Sequence, residues 1–284
     1  MKAENKHSQN YSPIINPLLV FFIISFAFPF SGFGSWPYLR DRDIARQNEL
    51  RGRIGEIRRE RPRIFLTDSE IEAVKTRTEE NPAVAEVYQW LKQWAYRGQY
   101  YNNLWVDSKK LQGLVVVYRL EGRPQQILKE CIRCMDYLCD AKPDSWTYPR
   151  TVRGLSMAYD WLYNDLTDAQ KQKYGKQIIE YSKACYDTWK HSDLNNHLYL
   201  EYGPILYAGI TLLDEGIDDE AAEQLLLDGM QLLLDQFIPA HEQLARDGGW
   251  YESMSYHSFF TLEYAHRSEE RRVGKEFRSR WWPY

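Results

Sequence analysis

The stretch Arg61-Pro62-Arg63-Ile64-Phe65-Leu66-Thr67-Asp68-Ser69-Glu70 decides how the chain is read. Thr67 with Glu70 three residues on is a capping box, in which each side chain satisfies a backbone donor of the other residue. A helix is therefore predicted from this point to about Glu80. Asn81-Pro82 breaks it, and proline at a first helical position opens another helix to about Tyr96. Downstream the pattern repeats. Asp107 to Leu120 is apolar at helical spacing and stops at Gly122. Pro124 to Cys139 follows, ending before Pro143, and Tyr148-Pro149 opens a helix through Trp161. Thr167 caps the next, which continues to about Trp189. His197 to Leu213 and Asp218 to Phe237, separated by Glu215-Gly216, complete the series. No alternating strand pattern lies between them. The expectation is an all-α fold of helical hairpins, stacked in an arc or closed as a toroid, with a plain bundle as the simpler arrangement.

Upstream of that stretch, residues 36 to 62 are charged and arginine-rich, which suggests a loose or helical lead-in on the surface. The amino terminus reads as an export signal. Lys2, Lys6 and His7 precede an apolar run from Leu18 to Phe30, then the small residues Ser31, Gly32, Gly34 and Ser35. The run is short for a bilayer span, so cleavage after Gly34 is expected. The predicted organisation is a signal peptide over 1–34, a lead-in over 35–60, a helical domain over 61–266 and a tail over 267–284.

The tail reads RSEERRVGKEFRSRWWPY and interrupts the apolar periodicity in mid-helix. It resembles the conceptual translation of a sequencing-adapter oligonucleotide, and is expected not to be native. Without its six basic and three acidic residues the net charge moves from −4 to −7. With no basic block in the body of the chain, nucleic-acid binding is not expected. An anionic substrate would have to be held by local donors. A hydrophobic share of 44% is enough for a sizeable core. The 21 Tyr and 10 Trp offer flat apolar faces with a polar tip, which suit both helical cores and sugar-binding clefts. Cys131-x-x-Cys134 lies inside an apolar helical pattern, without a second such pair or a nearby histidine. Cys131, Cys134, Cys139 and Cys185 are read as structural, either free thiols or one disulfide, and no metal or cofactor is expected.

Two polar clusters stand out from the helical pattern. Asp247-Gly248-Gly249-Trp250-Tyr251-Glu252-Ser253-Met254-Ser255-Tyr256-His257 combines a glycine pair with large aromatics, a carboxylate and an imidazole. The glycines permit backbone angles closed to other residues, so a tight loop is expected to deliver the rest into a cleft. Tyr256 and His257 both exchange protons. Asn195-Asn196-His197 sits where one helix has ended and the next begins. Asparagine there also serves as an ordinary cap. Amide and imidazole donors at a helix N-terminus nevertheless welcome a carboxylate.

Arg61-Pro62-Arg63-Ile64-Phe65-Leu66-Thr67, Ala158-Tyr159-Asp160-Trp161-Leu162-Tyr163, Asn196-His197 and Glu252-x-x-x-Tyr256-His257, in that order, resemble the heparinase II/III-type polysaccharide lyases and the related alginate and oligo-alginate lyases. The resemblance spans about residues 61 to 266. It implies an incomplete (α/α) toroid, followed in the family by a β-sandwich that this chain does not reach, so the chain reads as a fragment with little activity. It also implies cleavage of uronic-acid polysaccharide by β-elimination; the export signal makes the expected location periplasmic or secreted. By resemblance, Asn196 and His197 donate to the uronate carboxylate, where charge develops as the C5 proton leaves, and His197 is also a candidate base. Tyr256 takes the role of catalytic tyrosine, giving a proton to the leaving oxygen, and is also a candidate to abstract the C5 proton. Glu252 orients its neighbours, Tyr251 is the reserve proton donor, Trp250 stacks on sugar or packs in the core, and Asn195 and His257 line the substrate site. The expected partner is an anionic polysaccharide, with no membrane attachment after signal cleavage. A glycoside hydrolase using paired carboxylates among Asp160, Glu201, Asp247 and Glu252 is the alternative. A non-catalytic sugar-binding module is another.

Overall fold

In the computed structural model, residues 42–64, 67–96, 103–189 and 203–239 are described, and every regular element among them is helical. In chain order these are α1 (Ile44–Arg51), α2 (Asp68–Glu80), α3 (Pro82–Tyr96), α4 (Leu104–Leu120), α5 (Gln125–Asp140), α6 (Tyr148–Trp161), α7 (Asp168–Trp189), α8 (Pro204–Leu212) and α9 (Asp219–Gln231). The last runs on through a π-helical segment, Leu232–Phe237. The fold is all-α.

Most boundaries have a local chemical cause. The Thr67 hydroxyl accepts from Glu70 N at 3.1 Å while Glu70 returns the bond to Thr67 N at 2.8 Å, so α2 begins with the predicted box. Asn103 accepts from Trp105 N and Val106 N and starts α4 three residues ahead of the predicted Asp107. Asp218 caps α9 through Ala221 N. The lead-in from Arg42 is helical and docked on α9, not loose. Arg42 and Gln47 both reach the buried Asp228, and Arg46 grips Asp235 with two nitrogens.

Consecutive helices pack as hairpins, and alternate helices also touch. Thus α4, α6 and α8 form one row, while α5, α7 and α9 form the other. The central member is α6, buried from Pro149 to Trp161, with α4, α5, α7 and α8 around it. Tyr118, Tyr159 and Tyr174 are wholly buried. Each such ring contributes about 1.5–3 kcal/mol through burial. A smaller cluster joins Leu50 and Ile57 to Leu226, Leu227 and Met230 on the far face of α9.

Specific contacts give the direction of each helix. Gly154 of α6 lies beside Ser108 of α4, and Arg119 near the end of α4 reaches the carbonyl of Trp161 at 3.0 Å, so these two run parallel. Cys134 of α5 donates to the carbonyl of Asp107, near the start of α4, so α5 runs back. Tyr148 at the start of α6 meets Tyr181 late in α7, and Gly175 early in α7 meets Leu212 at the end of α8. Gly209 sits against Leu226 and Gly229 against Leu206, so α8 and α9 are antiparallel as well. Each row is therefore parallel within itself and opposed to the other.

Candidate functional site

Asn195, Asn196 and His197, like Trp250, Tyr251, Glu252, Tyr256 and His257, lie outside the described residues, as do all six histidines. What is described is where the chain leaves toward them. Because the rows oppose one another, the N-termini of α4, α6 and α8 share one end of the helical layers with the C-termini of α5, α7 and α9. The Asn195–His197 segment connects Trp189 of α7 to Pro204 of α8, and the Trp250–His257 segment follows α9. Trp189, Gly203 and Pro239, where the described residues break off or resume, therefore lie at this end.

The end carries aromatic and basic side chains. Trp105, in the first turn of α4, is 38% exposed. The Arg150 guanidinium lies 3.6 Å from the centroid of its ring. Arg150 is itself buried, and its Nη1 donates to the carbonyl of Trp146 at 2.7 Å. Lys109, one turn beyond Trp105 and exposed, places Nζ 5.6 Å from the same ring. Its ammonium is held below the usual lysine range by partial burial first, then by the positive charges of Arg153 and Arg150. Trp146 packs edge-on against Trp189 at 5.1 Å, and Trp189 Nε1 donates to the carbonyl of Ser145 at 3.0 Å. Asp144 is turned inward on its own loop, accepting from Trp146 N and Thr147 N. Helix N- and C-termini alternate at this end, so their dipoles largely offset. The cations at this end are the side chains of Lys109 and Arg150.

The opposite end is built differently. The link from the short 3₁₀ helix Ile54–Glu56 to α2 lays Arg61 and Arg63 across the C-terminus of α6 and the α8–α9 turn. Arg61 Nη1 meets Asp160 Oδ1 at 2.5 Å, and its other nitrogen meets Glu215 and the carbonyl of Thr211. Asp160 also accepts from the backbone of Arg63 at 3.0 Å and of Ile64 at 2.9 Å. Arg63 reaches Glu215 at 3.0 Å and the carbonyl of Leu213 at 2.7 Å. Desolvation, then the neighbouring Arg61, lowers the Arg63 guanidinium from its ordinary range. The Arg61 guanidinium also lies 4.3 Å from the centroid of the Tyr163 ring. This cluster fastens chain to chain. Asp160, a candidate hydrolase carboxylate on sequence grounds, has both oxygens occupied and a fully buried side chain. A cavity of about 10 Å³, room for one water, is lined by Arg61, Asp68, Arg119, Asp160 and Tyr163 beside it.

Cys131, Cys134, Cys139 and Cys185 are free and buried, which selects the thiol reading over a disulfide. Among the described residues no group of His, Cys, Asp and Glu is arranged to hold a metal ion, and no helix is long and apolar enough to cross a membrane. Sequence reasoning passed over Trp105, Lys109, Trp146 and Arg150. A tryptophan two residues after a capping asparagine was the one local signal that an exposed ring begins α4. A comparison with protein-family profiles finds no match to this chain.

Proposed function

We propose that the chain is the helical part of an exported polysaccharide lyase that cleaves uronic-acid-containing polysaccharide by β-elimination, with the opposed rows of α4–α9 forming part of an (α/α) toroid. What supports the reading is the end of the helical layers where α7 stops at Trp189 and α8 begins at Pro204, the helices that flank Asn195–His197 in sequence, and where Trp105 and Lys109 are exposed. A glycan laid across that end meets the exposed Trp105 and Trp146 rings and the Lys109 ammonium, groups suited to a polyuronate.

The chemistry explains the remaining roles. The C5 proton of a uronate is hard to remove while the adjacent carboxylate is ionised, because the resulting dianion is poorly stabilised. In this reading Asn196 and His197 donate to that carboxylate and stabilise the developing charge. His197 or the Tyr256 phenolate takes the proton, and Tyr256 protonates the leaving glycosidic oxygen. An unperturbed tyrosine titrates near 10, so the acid step needs no adjustment at neutral pH. Base duty requires a lowered value, for which neighbouring cations are the means. The hydrolase alternative is weakened by the engagement of Asp160 in the buried cluster.

The test is digestion of candidate polyuronates by the protein expressed from its intact gene, following the ultraviolet absorbance of the unsaturated uronate product. The expected result is new reducing ends in step with that absorbance. New reducing ends without it would instead establish hydrolysis. Binding with neither signal would leave a carbohydrate-binding module.

A further inference from the structure

From the geometry of α4 and α6 we infer that Trp105 and Lys109 form a binding subsite for one uronate unit of the substrate, away from the reacting bond. The inference rests on the proposed lyase function for the substrate class and on the described residues for the site.

Two independent features point to a ligand. The first is a fixed apolar face. Trp105 begins α4 with its ring partly open to solvent, yet the ring is not free to swing, because Arg150 of the neighbouring helix lies 3.6 Å from its centroid. Arg150 is in turn held by the carbonyl of Trp146 at 2.7 Å. A partly exposed indole braced this way is held in position before any ligand arrives, so little ordering cost for the ring remains on binding. The second is the placement of charge. Lys109 follows Trp105 by one helical turn, and its ammonium stands 5.6 Å from the centroid of that ring. Asp107, between them in sequence, is buried and presents no carboxylate on this surface.

A sugar ring stacked on the indole would take the place of the Lys109 ammonium, which lies over that ring, and bring an equatorial substituent within its reach. A neutral hexose offers a hydroxymethyl group there, whereas a uronate offers a carboxylate. The tryptophan therefore grips either sugar, and the lysine selects the acid. The site lies at the end of the helical layers where α7 stops at Trp189 and α8 begins at Pro204, the two helices that flank Asn195–His197 in sequence.

The test uses the protein expressed from its intact gene, with oligouronates and neutral oligosaccharides of matched length and linkage. Binding is read by calorimetry and turnover by product absorbance. Trp105→Ala is expected to weaken oligouronate binding about tenfold, with Trp105→Phe recovering most of the loss. Lys109→Gln is expected to weaken it about threefold, to leave neutral-sugar binding unchanged, and to flatten the salt dependence of the uronate affinity. Both variants should raise KM while leaving kcat within about twofold, since a remote contact contributes equally to ground and transition states. Unchanged oligouronate affinity in folded Trp105→Ala, or equal loss for neutral and acidic sugars in Lys109→Gln, overturns the subsite. These results are separable from the lyase reading. A protein that makes unsaturated product with wild-type KM in both variants is a lyase without this subsite. One that makes no such product but loses uronate binding in both variants has the subsite without the reaction.

Discussion

Arg61 and Asp160 meet at 2.5 Å across ninety-nine residues of sequence, in a side-chain pair almost wholly removed from water. The contact pins the link before α2 to the C-terminus of α6, and through Glu215 to the turn joining α8 and α9. Removing one partner of such a pair leaves an uncompensated buried charge, which costs far more than the pair itself contributes. Asp160→Ala is therefore expected to destabilise the fold by about 3–5 kcal/mol, measured by denaturant unfolding. Asp160→Asn keeps an acceptor for one of the two backbone donors, Arg63 N or Ile64 N, and should cost less than the alanine. Activity lost in Asp160→Asn while stability is retained would return this carboxylate to the list of catalytic candidates.

A second prediction concerns how closely α8 and α9 approach. A methyl group built on Gly209 would stand 2.4 Å from the backbone nitrogen of Leu226, and one on Gly229 would stand 2.6 Å from Leu206 Cβ. Neither neighbour is the tip of a flexible side chain. Gly209→Ala must therefore push the helices apart and disturb the small core that α9 shares with α1. A loss of about 1–3 kcal/mol or more is expected, visible as a lowered melting temperature. A wild-type melting temperature in Gly209→Ala would mean the two helices are not packed this tightly.

The thiols give a chemical check on the core. Burial pushes Cys134 and Cys139 up to about 12, and raises Cys131 further. The reactive species is the thiolate, so iodoacetamide near pH 8 should label none of these residues in the native protein and all of them after denaturation. Rapid native labelling at Cys131 or Cys134 would contradict the burial of α5 against α4.

Helix positions were legible in the sequence wherever a side chain within a few residues dictated the boundary. Thr67 with Glu70, Asn81 before Pro82, and Pro149 each acted locally, and α2, α3 and α6 start where those residues place them. The start of α4 was read late, because Trp105 and Val106 face outward and break the apolar period that marks the helix interior. Nothing in Leu232–Phe237 announces a π-helical turn. The lead-in arginines read as a solvated surface because their partners, Asp228, Asp235, Asp160 and Glu215, are remote in sequence. The same reason hid the stacking of Arg150 on Trp105. It exists only because α4 and α6 run parallel, and periodicity does not reveal which helices become neighbours.

The loop before α6 carries a pH dependence of defined sign. The Thr147 hydroxyl, followed by the backbone of Thr147 and Trp146, holds the Asp144 carboxyl below its ordinary value of 3.8. A carboxyl depressed in the folded state stabilises that state above its unfolded value and loses the contribution as pH falls through the folded one. The loop should therefore hold at neutral pH and loosen only below about pH 3.8. Loosening releases the edge contact between Trp146 and Trp189, so the measurement is tryptophan fluorescence during acid titration. Asp144→Asn should remove the acid step. An unchanged step in that variant would assign it to another group.

The last prediction separates proton transfer from charge stabilisation in the proposed reaction. Tyr256→Phe keeps the ring and removes only the hydroxyl, so sugar contacts persist while the donor to the leaving oxygen is gone. Turnover should fall by about a hundredfold to ten-thousandfold, with oligouronate affinity within about twofold of wild type. Asn196→Ala removes a donor to the carboxylate whose charge grows as the C5 proton leaves, and should also lower kcat. The two variants differ on a substrate whose uronates are esterified. Neutralising the carboxylate removes much of what Asn196 is there to stabilise, so the penalty for losing it should shrink. The proton still has to reach the leaving oxygen, so the Tyr256→Phe penalty should stay full size. Kinetics on esterified and free polyuronate therefore assign the two roles independently. Equal shrinkage in both variants would mean that Tyr256 acts on the carboxylate instead of the leaving group.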